Sequence, residues 1–253
     1  MTVTSVSNNN IRHIRALVSD KKLRQSEGVI VLEGANLISA LPQGIAVEQL
    51  LVQEGKEDKY ADIIALSGGK YLSISDNVMR AVSSVNTPSG IVAAVKYTVP
   101  QCLGGITAVI ADGITDPGNM GTIIRSAAAC GVKDIIAIEC CDVTSPKVVR
   151  ATMGAIFSVN LREINRDDVA TIAQRNRVFA LDMRGENIYN ISKEELGVRY
   201  ALAVGSEAHG ISKALREGAY KIVSQPMTGT TESLNAAISL SVGLYQFIFG
   251  NKA

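Results

Sequence analysis

The chain has 253 residues, 47% of them hydrophobic and only 4% aromatic, with no tryptophan and a formal net charge of +1. This length buries a substantial core without disulfide or metal staples and divides most naturally into two domains. Near-neutrality excludes holding a polyanion by bulk charge, so any nucleic-acid partner has to be gripped by a local basic surface.

Residues 1–10 are polar. The segment IRHIRALVSDKKLRQ follows, with Ile11, Ile14, Leu17 and Val18 at helical spacing among Arg12, Arg15, Lys21, Lys22 and Arg24. It is the most basic stretch, either a solvated helix face or a phosphate-contacting one. Residues 29–32 (VIVL) predict a strand, ANLISALPQ a helix, 47–52 (VEQLLV) a strand, 58–66 a helix and 71–74 a strand. A short helix over 76–84, a turn at Pro88-Ser89-Gly90 and a strand over 91–95 complete a small α/β domain, residues 1–99. The Pro-Gln-Cys-Leu-Gly-Gly segment supplies a linker, 100–106.

The second domain, 107–253, opens with the apolar strand 107–111 (TAVIA). Pro117, Gly118 and Gly121 then enforce a tight turn before a helix that stops at Gly131. Strands follow at 135–138, 157–161, 178–181, 200–204 and 221–223, with helices at 147–153, 167–175 and 212–218 between them. This alternation predicts a parallel sheet covered on both faces. The loop 228–231 is Gly/Thr-rich, and Ser233 opens a long apolar segment that predicts the final helix.

Cys102, Cys130, Cys140 and Cys141 show neither CxxC nor metal-ligand spacing, so reduced core thiols and no metal are expected. No leader and no run of membrane-spanning length is present, and a cytoplasmic location is the expectation. There is no GxGxxG, Walker loop or HExxH, and His13 and His209 are the only histidines, which leaves little material for a histidine triad. What remains is three loops after strands, at 116–125, 205–211 and 225–234, all at the carboxyl edge of a parallel sheet, where open sheets bind ligands. They carry Asn119, Arg125, Glu207, His209, Ser233 and Asn235. Each also has a structural reading: Ser233 as a helix cap, Arg125 in a surface ion pair, His209 as a loop residue.

Three motifs in register, N-x-G-x-x-x-R-S-A (119–127), G-S-E-x-x-G-I-S (205–212) and P-M-x-G-x-x-E-S-L-N (226–235), resemble the signatures of the SpoU (TrmH-like) branch of the SPOUT methyltransferases. The resemblance extends through KVVRATMGAIF (147–157), while NIRHIRAL, VIVLEG and TPSGIVAAV resemble that family's N-terminal RNA-binding domain, related to a ribosomal protein fold. It implies an α/β domain whose C-terminal segment forms a deep trefoil knot, a homodimer with the site at the subunit interface, and transfer of a methyl group from S-adenosylmethionine to a ribose 2′-hydroxyl of RNA. By motif position Leu181, Gly205, Gln225, Met227 and Leu234 would line the cofactor pocket, and Arg125, Asn119, Glu207, Ser233 and Asn235 would serve catalysis. Arg12, Arg15, Lys22 and Arg24 are the candidate RNA contacts. Ribosomal RNA is favoured over transfer RNA, because the basic terminal extensions of transfer-RNA members are missing; neither DNA nor a membrane is an expected partner. A non-catalytic RNA-binding protein and a base methyltransferase are the competing readings. Gln225 and Ala236-Ala237 depart from the family pattern, which has Ile before the Pro-Met and Val-Ser after Ser-Leu-Asn.

Overall fold

Asp20 divides the basic N-terminal segment into two helices rather than the single one its spacing predicts. Helix α1 (Asn9–Ser19) ends where Asp20 turns extended, and the Asp20 carboxylate accepts from Lys22 N and Leu23 N (2.8 and 3.1 Å) to cap α2 (Lys21–Glu27). A short acceptor side chain there satisfies amides that a new helix leaves unpaired. Gly28, in the left-handed region at φ 60°, ends α2 and leads into β1 (Val29–Glu33). The chain continues through α3 (Ala35–Ser39), β2 (Val47–Gln53), α4 (Ala61–Leu66), β3 (Leu72–Ile74), α5 (Asp76–Val82) and β4 (Ile91–Lys96). These strands form a mixed sheet in the order β1-β4-β2-β3, antiparallel except between β2 and β3. β2 carries a bulge: Val47 pairs with Val95 and Gln49 with Ala94, so Glu48 has no opposite number.

The computed structural model describes residues 2–97, 105, 107–231 and 233–250; Cys102 and all of the expected linker except Gly105 lie outside them. After the linker come β5 (Thr107–Asp112), α6 (Pro117–Ala129), β6 (Asp134–Ile138), α7 (Pro146–Ala151), β7 (Asn160–Ile164), α8 (Val169–Arg175), β8 (Arg177–Asn187) and α9 (Lys193–Leu196). β9 (Tyr200–Gly205), α10 (Lys213–Gly218), β10 (Lys221–Ser224) and α11 (Ala236–Tyr245) complete the order, with a π-helical turn over Gln246–Gly250. Six strands form an all-parallel sheet, β10-β8-β9-β5-β6-β7, and the central β5 and β9 are apolar nearly throughout, as strands covered on both faces must be. The strand expected over 157–161 begins instead at Asn160, because Ala155–Ser158 winds into a 3-10 turn. No helix among the described residues is long and apolar enough to cross a membrane.

Contacts group the chain into two units, Met1–Thr98 with Asp142–Phe157, and Val99–Cys141 with Ser158–Ala253. α7 and its flanks thus pack with the N-terminal unit, although they fall inside the expected domain 107–253. Two buried polar groups hold them there. Arg24, 3% exposed, donates to Thr144 Oγ1 at 3.3 Å and pairs with Asp142. Glu33, 7% exposed, accepts from Ser84 N and Ser84 Oγ (3.0 and 2.7 Å) and lies 3.6 Å from Arg150. Tyr97 adds a hydroxyl bond to Ile156 O at 3.1 Å.

Candidate active site

The loops after β5, β9 and β10 converge. Asp116 caps α6 by accepting from Asn119 N at 2.8 Å, with Pro117 at the first helical position, and this places Asn119 on the first turn. Asn119 Nδ2 donates to Glu207 Oε1, which belongs to the loop after β9. Asn235 Nδ2, just before α11, donates to Asn119 Oδ1 at 2.9 Å and to Glu207 Oε1 at 3.3 Å. Three side chains from three motifs therefore form one clasp at the carboxyl edge of the sheet.

Asn235 also caps α11, its Oδ1 accepting from Ala237 N (3.0 Å) and Ile238 N (3.2 Å). The final helix thus starts at Ala236 and Ser233 is not its cap; Ser233 is exposed and makes no hydrogen bond among the described residues. Arg125 lies outside the clasp. It is exposed on α6 and its side chain forms no hydrogen bond or ion pair among the described residues, so the surface ion pair does not form. It lies six positions along the helix from Asn119, which puts the two on different faces at 3.6 residues per turn. His209 is a loop residue whose amide donates to Ser206 Oγ at 3.3 Å.

The loop carrying Glu207 is shaped by two glycines and one buried acid. A Cβ on Gly205 would lie 2.0 Å from Gly210 C and 2.2 Å from Ile211 N, so only glycine lets the loop fold back this closely. Gly210 takes the left-handed conformation at φ 64° and donates to Ser206 O at 2.8 Å. Asp112, 1% exposed at the end of β5, pairs in register with Gly205, and its Oδ2 accepts from Ser212 N at 2.6 Å. Sequence reading passed over Asp112; an acid ending an apolar strand beside a glycine was the available signal.

Leu181 follows Ala180, the last residue of β8 paired to β9, Gly205 ends β9, Gln225 follows the last residue of β10, and Met227 and Leu234 lie in the loop beyond. Leu181 is buried, whereas Met227 and Leu234 are 39% and 38% exposed. Among the described residues, no backbone group of 226–231 or 233–234 hydrogen-bonds within the chain. Apolar side chains beside open backbone donors and acceptors fit an adenine ring packed between apolar groups with its edge hydrogen-bonded to backbone. The Gln225 side chain is turned elsewhere, donating to Ser239 O and accepting from Ser239 Oγ, each at 2.7 Å. Its departure from the family pattern therefore tethers α11 and leaves its own backbone to the loop. α11 also meets α6 through Ser126 Oγ and Ser241 Oγ, 2.6 Å apart.

Near the site, the half-buried Cys140 thiol bonds to Ala111 O at 3.2 Å, and desolvation pushes its pKa up to about 12, so it is no nucleophile at neutral pH. Burial works against ionisation of Asp182, but the Arg184 amide and the Arg216 guanidinium, 2.5 Å away, outweigh it and hold the carboxyl below its ordinary range.

Of the four candidate RNA contacts, Arg12, Arg15 and Lys22 are exposed and their side chains form no ion pair or hydrogen bond among the described residues. Arg24 is a correction. Its guanidinium is buried and spent on Leu17 O (2.5 Å), Val18 O (3.3 Å), Thr144 and Asp142, so it closes the end of α1 instead of facing solvent.

The chain resembles known proteins along its whole length. Residues 107–245 match the SpoU rRNA Methylase family, and residues 8–93 match the MRM3-like substrate binding domain. It is 29% identical to an uncharacterized tRNA/rRNA methyltransferase of Synechocystis sp., covering 97% of this chain and 92% of that protein. With the 23S rRNA (guanosine-2′-O-)-methyltransferase RlmB of Escherichia coli it shares 26% identity over 79% of this chain and 89% of the relative. The AdoMet-bound rRNA methyltransferase of Sinorhizobium meliloti superposes with a TM-score of 0.80 at 29% identity, covering 98% of this chain and 97% of that one. With a family match over more than half its length, the chain belongs to the SpoU rRNA methylase family.

Proposed function

We propose that the protein transfers a methyl group from S-adenosylmethionine to a ribose 2′-hydroxyl of ribosomal RNA. The observation that carries this reading is the Asn119–Glu207–Asn235 clasp, which joins the three motif loops beside an open-backbone, partly apolar loop. The named relatives that act on ribosomal RNA support the substrate class. S-adenosylmethionine, held by Leu181, Gly205, the Gln225 backbone, Met227 and Leu234, supplies a methyl on a sulfonium, already activated for in-line transfer. The chain's own task is to position a weakly acidic hydroxyl and to stabilise the oxyanion that forms on it. Glu207, with one oxygen taken by both asparagines, keeps the other for the ribose hydroxyl or for a guanidinium. Arg125 bridges the 2′-oxygen and a neighbouring phosphate, acting as a fixed cation because a guanidinium with a pKa above ~12 is a poor base. Ser233 orders the last loop beside the ribose.

Arg125 reaches the clasp of a partner subunit in this reading. Ile238, Val242, Tyr245 and Phe249 form an exposed apolar stripe at helical spacing, 37–53% exposed, along α11 and its π-turn. A homodimer that covers the stripe also buries α6 beside it, the helix that carries Arg125. The C-terminal segment closes the pocket as a trefoil knot; pulling the termini apart in an optical trap should leave the chain short of its full contour length, and full extension would refute the knot. The protein acts in the cytoplasm, with reduced thiols.

The deciding assay incubates the protein with methyl-labelled S-adenosylmethionine and, separately, ribosomal RNA, large subunits and bulk transfer RNA. Label in an alkali-resistant dinucleotide from ribosomal RNA is the expected result, since a 2′-O-methyl blocks cleavage at that linkage. Label released in mononucleotides would mean a methylated base, label only in transfer RNA would overturn the substrate, and RNA binding with no transfer would identify a non-catalytic member.

A further inference from the structure

The N-terminal unit contains a cavity of about 290 Å³ lined by His13, Leu17, Glu27, Val29, Glu48, Gln49, Ala94 and Lys96. Its volume falls just short of the ~300–1,000 Å³ of drug-sized ligand sites and is enough for one ring system. Leu17, Val29 and Ala94 give it an apolar floor, all of them at least 95% buried. The rim is polar and mixed in sign. Glu27 accepts from the His13 ring at 2.9 Å, which fixes the imidazole as a flat wall, and Lys96 Nζ donates to Glu27 O at 3.1 Å. Glu48 is the extra residue of the β2 bulge, and neither it nor Gln49 spends its side chain on a hydrogen bond among the described residues. A bulge that re-aims an acid into a cavity costs ladder pairing and is a device found beside functional sites. Arg12 and Arg15 stand exposed on the helix that supplies His13.

We propose that this cavity binds an unpaired guanine base of the RNA. The inference rests on RNA being the substrate. Unstacked bases of single-stranded loops are read by stacking on aromatic rings and by hydrogen bonds to their Watson–Crick edges. A carboxylate selects among the four bases, because it needs two adjacent donors. Guanine offers N1–H and the N2 amino group side by side, with O6 next to them for an ammonium. Adenine and cytosine place a ring-nitrogen lone pair beside their amino group, and uracil has one N–H between two carbonyls, so each would set a lone pair against the acid. Glu48 reads the N1/N2 edge, Lys96 the O6, His13 stacks on the ring, and Arg12 and Arg15 take the flanking phosphates.

The test measures binding of the full-length protein to the oligoribonucleotides UUGUU, UUAUU and UUIUU, in which inosine lacks only the N2 amino group, at one fixed salt concentration. A preference of about tenfold or more for guanosine over adenosine is expected, with inosine between them. Glu48→Gln, at an exposed bulge position, should erase most of the preference, by weakening binding of UUGUU and relieving the repulsion that disfavours UUAUU. Equal binding of the three oligonucleotides, binding of none, or a preference unaltered by Glu48→Gln would each overturn the proposal. Methyl transfer to ribosomal RNA, assayed on the same preparation, separates the two readings: if transfer persists, only the guanine pocket fails; if neither transfer nor binding occurs, the RNA substrate fails as well.

Discussion

Asp112 and Ser212 lie 100 residues apart, yet the buried carboxylate of one holds the backbone amide of the other at 2.6 Å. Asp112 also pairs with Gly205 across the β5–β9 ladder, so a single residue fixes both ends of the loop that carries Glu207. Its other oxygen, Oδ1, has no hydrogen-bond partner among the described residues. Retaining such a group buried costs stability. Asp112→Ala relieves that cost but orphans the Ser212 amide, which by itself destabilises by about 1–3 kcal/mol, and the net change should be a loss of stability within that range. It should also raise KM for S-adenosylmethionine more than it lowers kcat, and Asp112→Asn, which keeps a neutral acceptor, should recover much of the KM. An Ala variant with unchanged KM would reduce Asp112 to a purely structural role.

Asn235 serves fold and site with different atoms. Asn235→Asp keeps the cap on α11 but loses the donor to Asn119 and adds charge beside Glu207. Its thermal stability should stay near wild type while kcat falls about 10²–10³-fold. Asn235→Ala should lose about 0.5–2 kcal/mol of stability as well. Full activity in the Asp variant would show that the clasp is dispensable.

If Arg125 acts across a dimer, Arg125→Ala and Asn235→Ala subunits are each inactive but complementary. Mixing them should restore about a quarter of wild-type activity by random exchange in a twofold assembly, whereas an Arg125 acting within its own subunit would restore none. Val242→Glu on the exposed stripe should yield monomers by sedimentation and abolish transfer. Arg125→Lys should retain part of the rate, as a point charge without the bidentate fork.

Arg24 and Arg12 make a matched pair with opposite expected outcomes. Arg24→Met strips Asp142 Oδ2 of its guanidinium and leaves two helix-end carbonyls without their donor, and should cost about 3–5 kcal/mol in denaturant melts. Arg12→Ala should change stability by less than about 0.5 kcal/mol. It should weaken RNA binding and lower the salt slope by about one ion.

Cys140 links stability to high pH. Burial raises the folded thiol's pKa from 9.0 to about 12, so the protonated form is favoured in the fold. Its contribution is complete below pH 9, where both states are protonated, and is lost as pH rises through the folded value. Iodoacetamide at pH 8 should leave Cys140 unmodified in the native protein and label it after denaturation; rapid native labelling would contradict the burial.

Sequence alone determined what depends on local pattern. The β-branched runs gave VIVL and TAVIA their strands, and the alternation of strands and helices the parallel sheet, because pleat and period are set within a few residues; the tight turn expected at Pro117, Gly118 and Gly121 is instead the start of α6, capped by Asp116. The motif loops also placed Asn119, Glu207 and Asn235 at one sheet edge. Only tertiary structure decided how these groups are used. The same side-chain type reads identically at Arg12 and Arg24, yet one is solvated and the other buried, since the partner that decides it, Asp142, lies 118 residues away. Ser233 was the cap expected for the last helix, but the path of the chain gives that place to Asn235, whose amide also reaches Asn119. Glu48 looked like an ordinary strand residue, because a bulge is a relation between two strands that neither strand encodes by itself.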